Sequence, residues 1–188
     1  MNQIRKIFIL LLVAFICSGA RASSFSVEAD ALSYFLNGFS IISRNSFDQG
    51  LDIALGGGRF DLPKFLVESE QDNFVEARWK ASCTSILVAR IGYRFSKLHE
   101  SGPVAHFITL HQRWKVQSAP LAGEANFNVI STGVSGGYHW KIYHGFYVYP
   151  TAALTLNFTY DGSPQVLNEK YSIPKFGYNG SLHVGYEF

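Results

Sequence analysis

Hydrophobic and polar side chains alternate along most of this chain with a period of two residues. The pattern is clearest at the C-terminus, where the even positions from Tyr178 to Phe188 are mostly apolar or aromatic. The odd positions from Gly177 to Glu187 are small, polar or charged. Because a β-strand sends alternate side chains to opposite faces, the pattern predicts a strand with one apolar face.

Segments of this kind recur eight times, and those of the N-terminal third alternate least regularly. The predicted strands cover residues 24–34, 38–46, 50–60, 78–95, 108–116, 130–142, 145–160 and 177–188. Pro150 lies within the seventh segment, where we expect a bulge or a local kink because proline cannot donate to a strand ladder. The fold class predicted is all-β, with eight antiparallel strands in one domain.

The N-terminus has the layout of a cleavable signal peptide. Arg5 and Lys6 precede an apolar run over residues 7–16, and the Ala-x-Ala sequence ending at Ala22 offers a cleavage site. The prediction is therefore a signal peptide at 1–22 and a barrel domain at 23–188. A lipoprotein modified at Cys17 is the alternative, although Ile16 occupies a position where a small residue is preferred.

Removal of this segment changes the charge and the cysteine content of the mature chain. Its three basic residues leave with it, so the formal charge of +2 becomes −1 and gives no reason to expect a nucleic-acid partner. Cys83 is then the only cysteine, which excludes an intramolecular disulfide.

No segment after residue 22 forms a long apolar run, so any membrane span must consist of β-strands. Only helices and closed barrels satisfy every backbone group within lipid. The alternation predicts a transmembrane barrel in a bacterial outer membrane. Its inner turns are predicted at 47–49, 97–103 and 143–144, and its outer loops at 35–37, 61–77, 117–127 and 161–176. Short periplasmic turns and longer external loops are typical of such barrels.

Aromatic residues of the apolar face group at both predicted strand ends, as two girdles around a bilayer would. The outer girdle comprises Trp79, Trp114, Phe158, Tyr160 and Tyr178, and the inner girdle comprises Tyr93, Phe95, Tyr138, Trp140, Phe146, Tyr186 and Phe188. A soluble sandwich or lipocalin-like barrel also alternates, but it would bury the apolar face and need not place aromatic residues at strand ends.

The last seven residues, Leu182-His183-Val184-Gly185-Tyr186-Glu187-Phe188, resemble the final strand of small outer-membrane barrels of the OmpX, OmpW and OmpA-transmembrane-domain type. The resemblance implies that Leu182, Val184, Tyr186 and Phe188 form the signal read by the barrel-assembly machinery. His183 departs from the family, which favours Gly at that position. The resemblance covers the whole mature chain as architecture and implies a monomer whose other partner is outer-membrane lipid.

Ionisable side chains on the other face are predicted to form a polar cluster in the lumen: Arg90, Arg94, His111, Arg113, His139, His183 and Glu187, with Glu28, Asp30, Asp52 and Lys115 also inward. An eight-stranded barrel has an interior only wide enough for its side chains, so a polar plug is expected, with a narrow ion path as the alternative. The three histidines lie on separate strands at different depths, so no metal site is assigned.

We expect a non-enzymatic protein with a structural, surface-interaction or narrow-conduit role, without a cofactor. The alternative is an enzyme that modifies lipid A or phospholipid, similar to the PagL or PagP type. However, the chain lacks the His-x-Ser-Asn motif of the PagL family. Ser181, His183 and Glu187 share a strand face but are spaced by about 7 Å per two residues, too far apart for a compact triad. No catalytic residue is assigned.

The predicted outer loop 61–77 is acidic and contains Glu68, Glu70, Asp72 and Glu76. Loops often carry function, so this one could bind cations or a partner. We interpret it as a solvated surface loop.

Deletion of Phe188 tests the assignment of the last strand. The variant should assemble poorly, because the terminal aromatic residue belongs to the proposed assembly signal. Heat-modifiable gel mobility of the membrane fraction measures the folded protein. Unchanged insertion would count against the assignment.

Overall fold

The computed structural model describes residues 24–72 and 77–188, so the predicted signal peptide at 1–22 and the loop residue Glu76 lie outside the described residues. The strands are β1 Ser24–Asp30, β2 Phe39–Ser46, β3 Leu51–Asp61, β4 Trp79–Arg94, β5 Gly102–Ser118, β6 Gly123–Tyr143, β7 Phe146–Gly162, β8 Gln165–Val166, β9 Glu169–Lys170 and β10 Phe176–Glu187. Two helices are described, α1 Ala31–Phe35 and α2 Lys64–Glu70. Neither is long and apolar enough to cross a membrane.

Eight strands form one antiparallel ring in the order β1-β10-β7-β6-β5-β4-β3-β2. β1 closes the ring, because Ser26 pairs with Glu187 of β10 while Ser24 pairs with Ser46 of β2. The β8–β9 hairpin stands apart as a two-stranded sheet. The predicted all-β fold with eight antiparallel strands is confirmed.

The two ends of the barrel differ in their connections. At the turn end lie the start of β1, the end of β10 and three turns, at 47–50, 95–101 and 144–145. His144 and Gly145 both have positive φ, 39° and 88°, as a two-residue type I′ hairpin requires. The opposite end, which we name the cap end, carries α1, α2 and the β8–β9 hairpin.

The outer loop predicted at 117–127 is wrong. β5 and β6 pair in unbroken register from Gly102 and His139 to Ser118 and Gly123, leaving only residues 119–122 as the connection. The polar residues of this region resemble a loop, but they face outward while apolar neighbours such as Val116 and Phe127 face inward. The strands therefore extend further toward the cap end than the pattern indicates.

Trp79 and Trp114 do not belong to an outward girdle, so that prediction is wrong. Trp79 is 2% exposed because the β4–β5 register shifts between Cys83 and Ser85. Such a bulge inserts one residue and reverses which positions face inward. Trp114 faces inward because the even positions of β5 do so throughout, and it packs edge-on against Phe60 with ring centroids 5.7 Å apart.

The other girdle residues face outward. At the turn end these are Tyr93, Phe95, Tyr138, Trp140, Phe146, Tyr186 and Phe188, and toward the cap end they are Phe158, Tyr160 and Tyr178. Phe188 also stacks on Phe25 at 5.9 Å and donates its backbone N–H to the Phe25 carbonyl at 2.8 Å. The C-terminal residue thus contributes to ring closure.

β1 is shorter than predicted because Asp30 starts a helix. Its carboxylate accepts the Leu32 backbone N–H at 3.1 Å and the Ser33 hydroxyl at 3.0 Å, so it caps α1. The same carboxylate accepts the Leu182 N–H at 3.2 Å. A side chain therefore replaces the strand partner of β10 at the point where β1 ends, within the segment predicted as strand 24–34.

Of the bulge or local kink predicted at Pro150, the bulge is absent from the β6–β7 register. No β6–β7 pair forms directly at Pro150. The pairs on either side, Gly137–Thr151 and Trp140–Val148, belong to the same register. On its other edge Pro150 lies opposite Leu182 of β10. The missing donor interrupts the ladder locally without a bulge.

The interior at the cap end is apolar. The buried cluster there comprises Val67, Ala77, Trp79, Ala81, Val116, Ala125, Phe127, Val129, Val166 and Tyr171. Val67 comes from α2, so the predicted acidic loop in fact contributes a helix to this cluster. Gln71 exchanges two hydrogen bonds with the Ser172 backbone, at 2.7 and 2.8 Å. Burial raises the pKa of Tyr171, and the Glu70 carboxylate raises it further.

Candidate functional site: the charged lumen

The inside of the barrel toward the turn end holds all six buried charged residues of the described chain. They are the three arginines Arg44, Arg90 and Arg94 and the three carboxylates Glu28, Asp52 and Glu187. We name these six the charged lumen. The three positive and three negative charges balance formally; Arg44 and Arg94 pair with carboxylates, whereas Arg90 donates to His183.

Arg44 is the centre of this set. Its guanidinium contacts Glu28 Oε1 at 2.5 Å and Asp52 Oδ2 at 3.1 Å, and all three side chains are completely buried. It also lies over the Tyr149 ring, 4.5 Å from the centroid. One cation thus pairs with two carboxylates, on the neighbouring strands β1 and β3.

Asp52 continues the network toward β5 and β7. It accepts a hydrogen bond from Ser46 Oγ at 2.6 Å and lies 3.1 Å from His106 Nε2. An ionised carboxylate only accepts, so His106 carries a proton on Nε2. In the neutral ring Nδ1 then accepts from the Tyr149 hydroxyl at 3.2 Å. The network therefore has a defined direction from Tyr149 through His106 to Asp52.

Two contacts cross between strands on opposite sides of the ring. Arg90 of β4 donates to His183 Nε2 of β10 at 3.2 Å, and Arg94 Nη1 lies 3.8 Å from Glu187 Oε1. In the strand order, β4 and β10 are four positions apart among eight. Side chains that meet from opposite walls occlude the lumen between them.

The His183 contacts also define its tautomer. Arginine is only a donor, so Nε2 accepts and a neutral ring carries its proton on Nδ1. That nitrogen lies 3.6 Å from Glu28 Oε2. Tyr147 donates to the other Glu28 oxygen at 3.0 Å, so both carboxylate oxygens face specific partners.

Glu187 organises the mouth of the barrel at the turn end. The Ser24 hydroxyl donates to it, Lys141 Nζ lies 3.5 Å away, and His99 Nδ1 lies 3.4 Å away. Arg94 links this mouth to the interior through a 3.1 Å hydrogen bond to Ser46. Glu187 therefore links β1 and β10, the two strands that close the ring, to the charged lumen.

His139 lies inside the barrel but makes no hydrogen bond to another described residue. Its ring packs on Tyr147 with centroids 4.1 Å apart. With His139 and Lys141 on β6, all eight strands of the ring contribute a side chain to this region.

Above the charged lumen the interior is mixed, because an apolar cluster on β4 and β5 lies beside the buried polar side chains Gln112, Ser131 and Thr155. Val88, Ile108 and Leu110 pack together, with Ile86 against them. Beyond them lies the cap-end cluster, where Trp79 meets Tyr171 edge-on at 5.7 Å. An ion crossing the barrel would meet both the ion-paired network and the apolar cap-end cluster.

The predicted inward positions of His111 and Arg113 are wrong, as is that of Lys115. Their odd positions on β5 face outward, since its even positions Val104, His106, Ile108 and Leu110 are buried. The sequence pattern predicts that the apolar side chains of β5 face lipid, but they fill the upper lumen. Arg90, Arg94, His139, His183 and Glu187 lie inside the barrel.

Sequence reasoning missed Arg44, His106, Tyr147 and Tyr149 as site residues. Arg44 is the one charge in the segment of β2 from Phe39 to Ser46, which is a signal that could have identified it. His106 lies between Ala105 and Phe107, at one of the even positions of β5, which face the interior. Both signals depend on assigning strand faces correctly.

The Ser181–His183–Glu187 set does not assemble. His183 bonds Arg90, and Glu187 bonds Ser24. Across residues 24–72 and 77–188, no serine hydroxyl is hydrogen bonded to a histidine, and no group of three His, Cys, Asp or Glu side chains is arranged to hold a metal ion.

The ring of eight strands and its occluded interior define a small antiparallel barrel filled by its own side chains. No known family model matches the sequence, and no curated protein matches it. Among solved structures, the chain is similar to the N-terminal β-barrel domain of Pseudomonas aeruginosa OprF. The TM-score is 0.50 and the identity 15%, over 88% of this chain and 97% of that one. It is also similar to a major outer membrane protein from Thermus thermophilus, with a TM-score of 0.57 and 12% identity, over 88% of this chain and 99% of that one. These similarities establish the shared fold.

Replacement of Arg44 by methionine tests the electrostatic role of the charged lumen. The change leaves Glu28 and Asp52 buried without their cation, so the free energy of unfolding should fall by about 3–5 kcal/mol. Denaturant unfolding in detergent micelles measures it. Adding Glu28→Gln and Asp52→Asn to Arg44→Met should recover much of the loss.

The matched control is Lys115→Met, which breaks the partly exposed 2.6 Å pair with Glu124. It should cost no more than about 1 kcal/mol. If Arg44→Met were no more destabilising than this control, the network would not stabilise the fold.

Proposed function

We propose that this protein is a monomeric outer-membrane barrel with a filled lumen, and that it acts through its surface or its presence in the membrane. The observation that carries the proposal is the outward display of large apolar side chains around the ring. Trp140 is 62% exposed, Tyr178 81% and Val134 60%, while the charged lumen is buried. This inside-out distribution is expected for a barrel solvated by lipid.

The distribution of outward aromatic and aliphatic residues supports a bilayer location. Aromatic residues lie toward both ends, and aliphatic residues such as Ile91, Val134 and Leu154 lie between them. Soluble monomers rarely expose apolar patches beyond a few hundred Å², so a continuous band of this kind requires a partner, which lipid supplies. The chain would be exported behind residues 1–22 and assembled through Leu182, Val184, Tyr186 and Phe188.

A filled interior supports a structural or surface-interaction role over a conduit. Arg90 and His183 meet across the ring, and the apolar cap-end cluster lies beyond them. Removing that obstruction would leave the buried Arg90 guanidinium without its His183 partner, and a buried charge without a partner is costly. No specific observation favours the lipid-modifying alternative.

Tryptophan fluorescence in brominated lipid tests the membrane location. The chain has three tryptophans, and only Trp140 faces outward. A Trp79→Phe/Trp114→Phe protein should be quenched several-fold by bromine in the acyl chains, because Trp140 contacts lipid. A Trp140→Phe protein should be quenched little. Strong quenching of the Trp140→Phe protein, without quenching of the Trp79→Phe/Trp114→Phe protein, would overturn the proposal.

Planar-bilayer recording tests the closed lumen. The inserted wild-type protein should give no discrete conductance steps, because side chains from opposite walls meet at 3.2 Å. Insertion is verified in the same preparation by heat-modifiable mobility. Reproducible unitary conductance steps from the folded protein would instead support the narrow-conduit role.

A further inference from the structure

Four basic side chains face outward on three adjacent strands near the cap end. They are Arg59 of β3, Lys80 of β4, and Arg113 and Lys115 of β5; we name them the basic sector. Arg59, Lys80 and Arg113 are exposed and Lys115 is half-buried. Nothing in the charged lumen involves them, since they lie on the opposite face of the wall.

The strand register places these side chains close together. Arg113 lies opposite Ser85 of β4, Lys115 opposite Ser82, and Lys80 opposite Gln117. Arg59 precedes Phe60, which lies opposite Cys83. Neighbouring strands are about 4.8 Å apart, so Arg59 and Arg113 are separated by about 10 Å across β4.

The sector carries an excess of positive charge. Lys115 pairs with Glu124 at 2.6 Å, and Arg59 lies over the Phe39 ring at 5.8 Å. Within the described chain, neither Arg113 nor Lys80 has a carboxylate at ion-pair distance. Two cations therefore remain available to an external anion, with Arg59 beside them.

The opposite side of the barrel differs at the same end. There the outward residues of β7 and β10 are the aromatic side chains Phe158, Tyr160, Phe176 and Tyr178. Aromatic residues suit a generic bilayer interface. Concentrating arginine and lysine on the other side points to a specific anionic group.

The depth of the sector follows from His111. This residue faces outward on β5, two positions before Arg113, and its Nε2 lies 2.5 Å from the Tyr160 hydroxyl in the aromatic band. Two residues advance a strand by about 7 Å. Arg113 thus lies just beyond the aromatic band, at the depth where lipid headgroups would be in the proposed membrane location.

The outward surface changes character at that depth. On β6 it passes from apolar Ile130 to Asn128 and Asn126, and on β4 from Leu87 to Thr84 and Ser82. The register shift at Cys83 and Ser85 lies at the same place. The apolar band therefore ends where the basic sector begins.

We propose that the basic sector binds the phosphate groups of a multiply phosphorylated glycolipid in the outer leaflet, of the lipid A type. The proposal rests on the membrane location proposed above. Arginine forks match phosphate oxygens in a bidentate geometry, and lysine adds a point charge. Two phosphates on one lipid would span Arg59 and Arg113, with Lys80 above them toward the cap end.

Lipid binding to the full mature protein tests the proposal. The protein is reconstituted in phosphatidylcholine vesicles with increasing diphosphorylated lipid A, and binding is measured by lipid retained per protein after detergent extraction. The test variant is Arg59→Gln/Lys80→Gln/Arg113→Gln. One basic residue at an anionic surface strengthens binding about fivefold, so the variant should bind about a hundredfold more weakly.

The control variant is Lys64→Gln/Lys97→Gln/Lys175→Gln, which removes the same charge from exposed sites elsewhere. It should bind like wild type. An Arg59→Lys/Arg113→Lys variant, which keeps the charge but loses the bidentate forks, should bind with an affinity between those of wild type and the test variant. Added salt should weaken binding in wild type more than in the test variant. Heat-modifiable mobility verifies that every variant is folded.

Equal binding by the test and control variants would overturn the proposal. So would tripolyphosphate in solution competing as effectively as the lipid, because the ligand would then be a soluble polyanion. If the protein inserts and Trp140 is quenched but lipid A is not preferred, only this inference fails. If the protein does not insert, the proposed function fails as well.

Discussion

The burial of Arg44 between Glu28 and Asp52 is the constraint on which the barrel depends. The three residues come from β1, β2 and β3, so their contacts exist only when those strands hold one register. A slip by one residue would move every inward side chain to the outer face. It would expose the charged lumen outside and bury the aromatic band. A single strand register therefore decides both which side chains fill the interior and which face outward.

The alternation predicts the fold well where strands are regular. On β6, β7 and β10 the predicted inward and outward positions agree with the observed burial, which places His139, Tyr147 and His183 inside. It fails at Trp79, because a bulge exchanges the inward and outward positions of the strand. Such a bulge leaves no sign in the two-residue alternation of the sequence. It fails also on β5, where Ile108 and Leu110 face the lumen although their apolar side chains resemble those expected on a lipid-facing strand.

The charged lumen was only partly predictable for a related reason. Parity places Arg90 and His183 inside, but their contact depends on how the strands are staggered around the whole ring. The sequence carries no local signal for that stagger. Arg44 and His106 were missed because their importance comes from partners on other strands, Glu28, Asp52 and Tyr149. Residue type and strand face predict which residues enter the site. Which of them contact one another depends on how the ring of strands closes.

Along β4, β5 and β6 the wall combines two kinds of sheet. Near the turn end its outer face is apolar and its inner face charged, as at Ile91 and Arg90. Near the cap end the order is reversed, with Lys80 outside and Trp79 inside, as in a sheet facing water. On β4 a single period of apolar odd positions serves both parts, because the bulge at Cys83 and Ser85 exchanges the faces between them. The bulge therefore allows one strand to change from an apolar outer face to a polar outer face without a break in the ring.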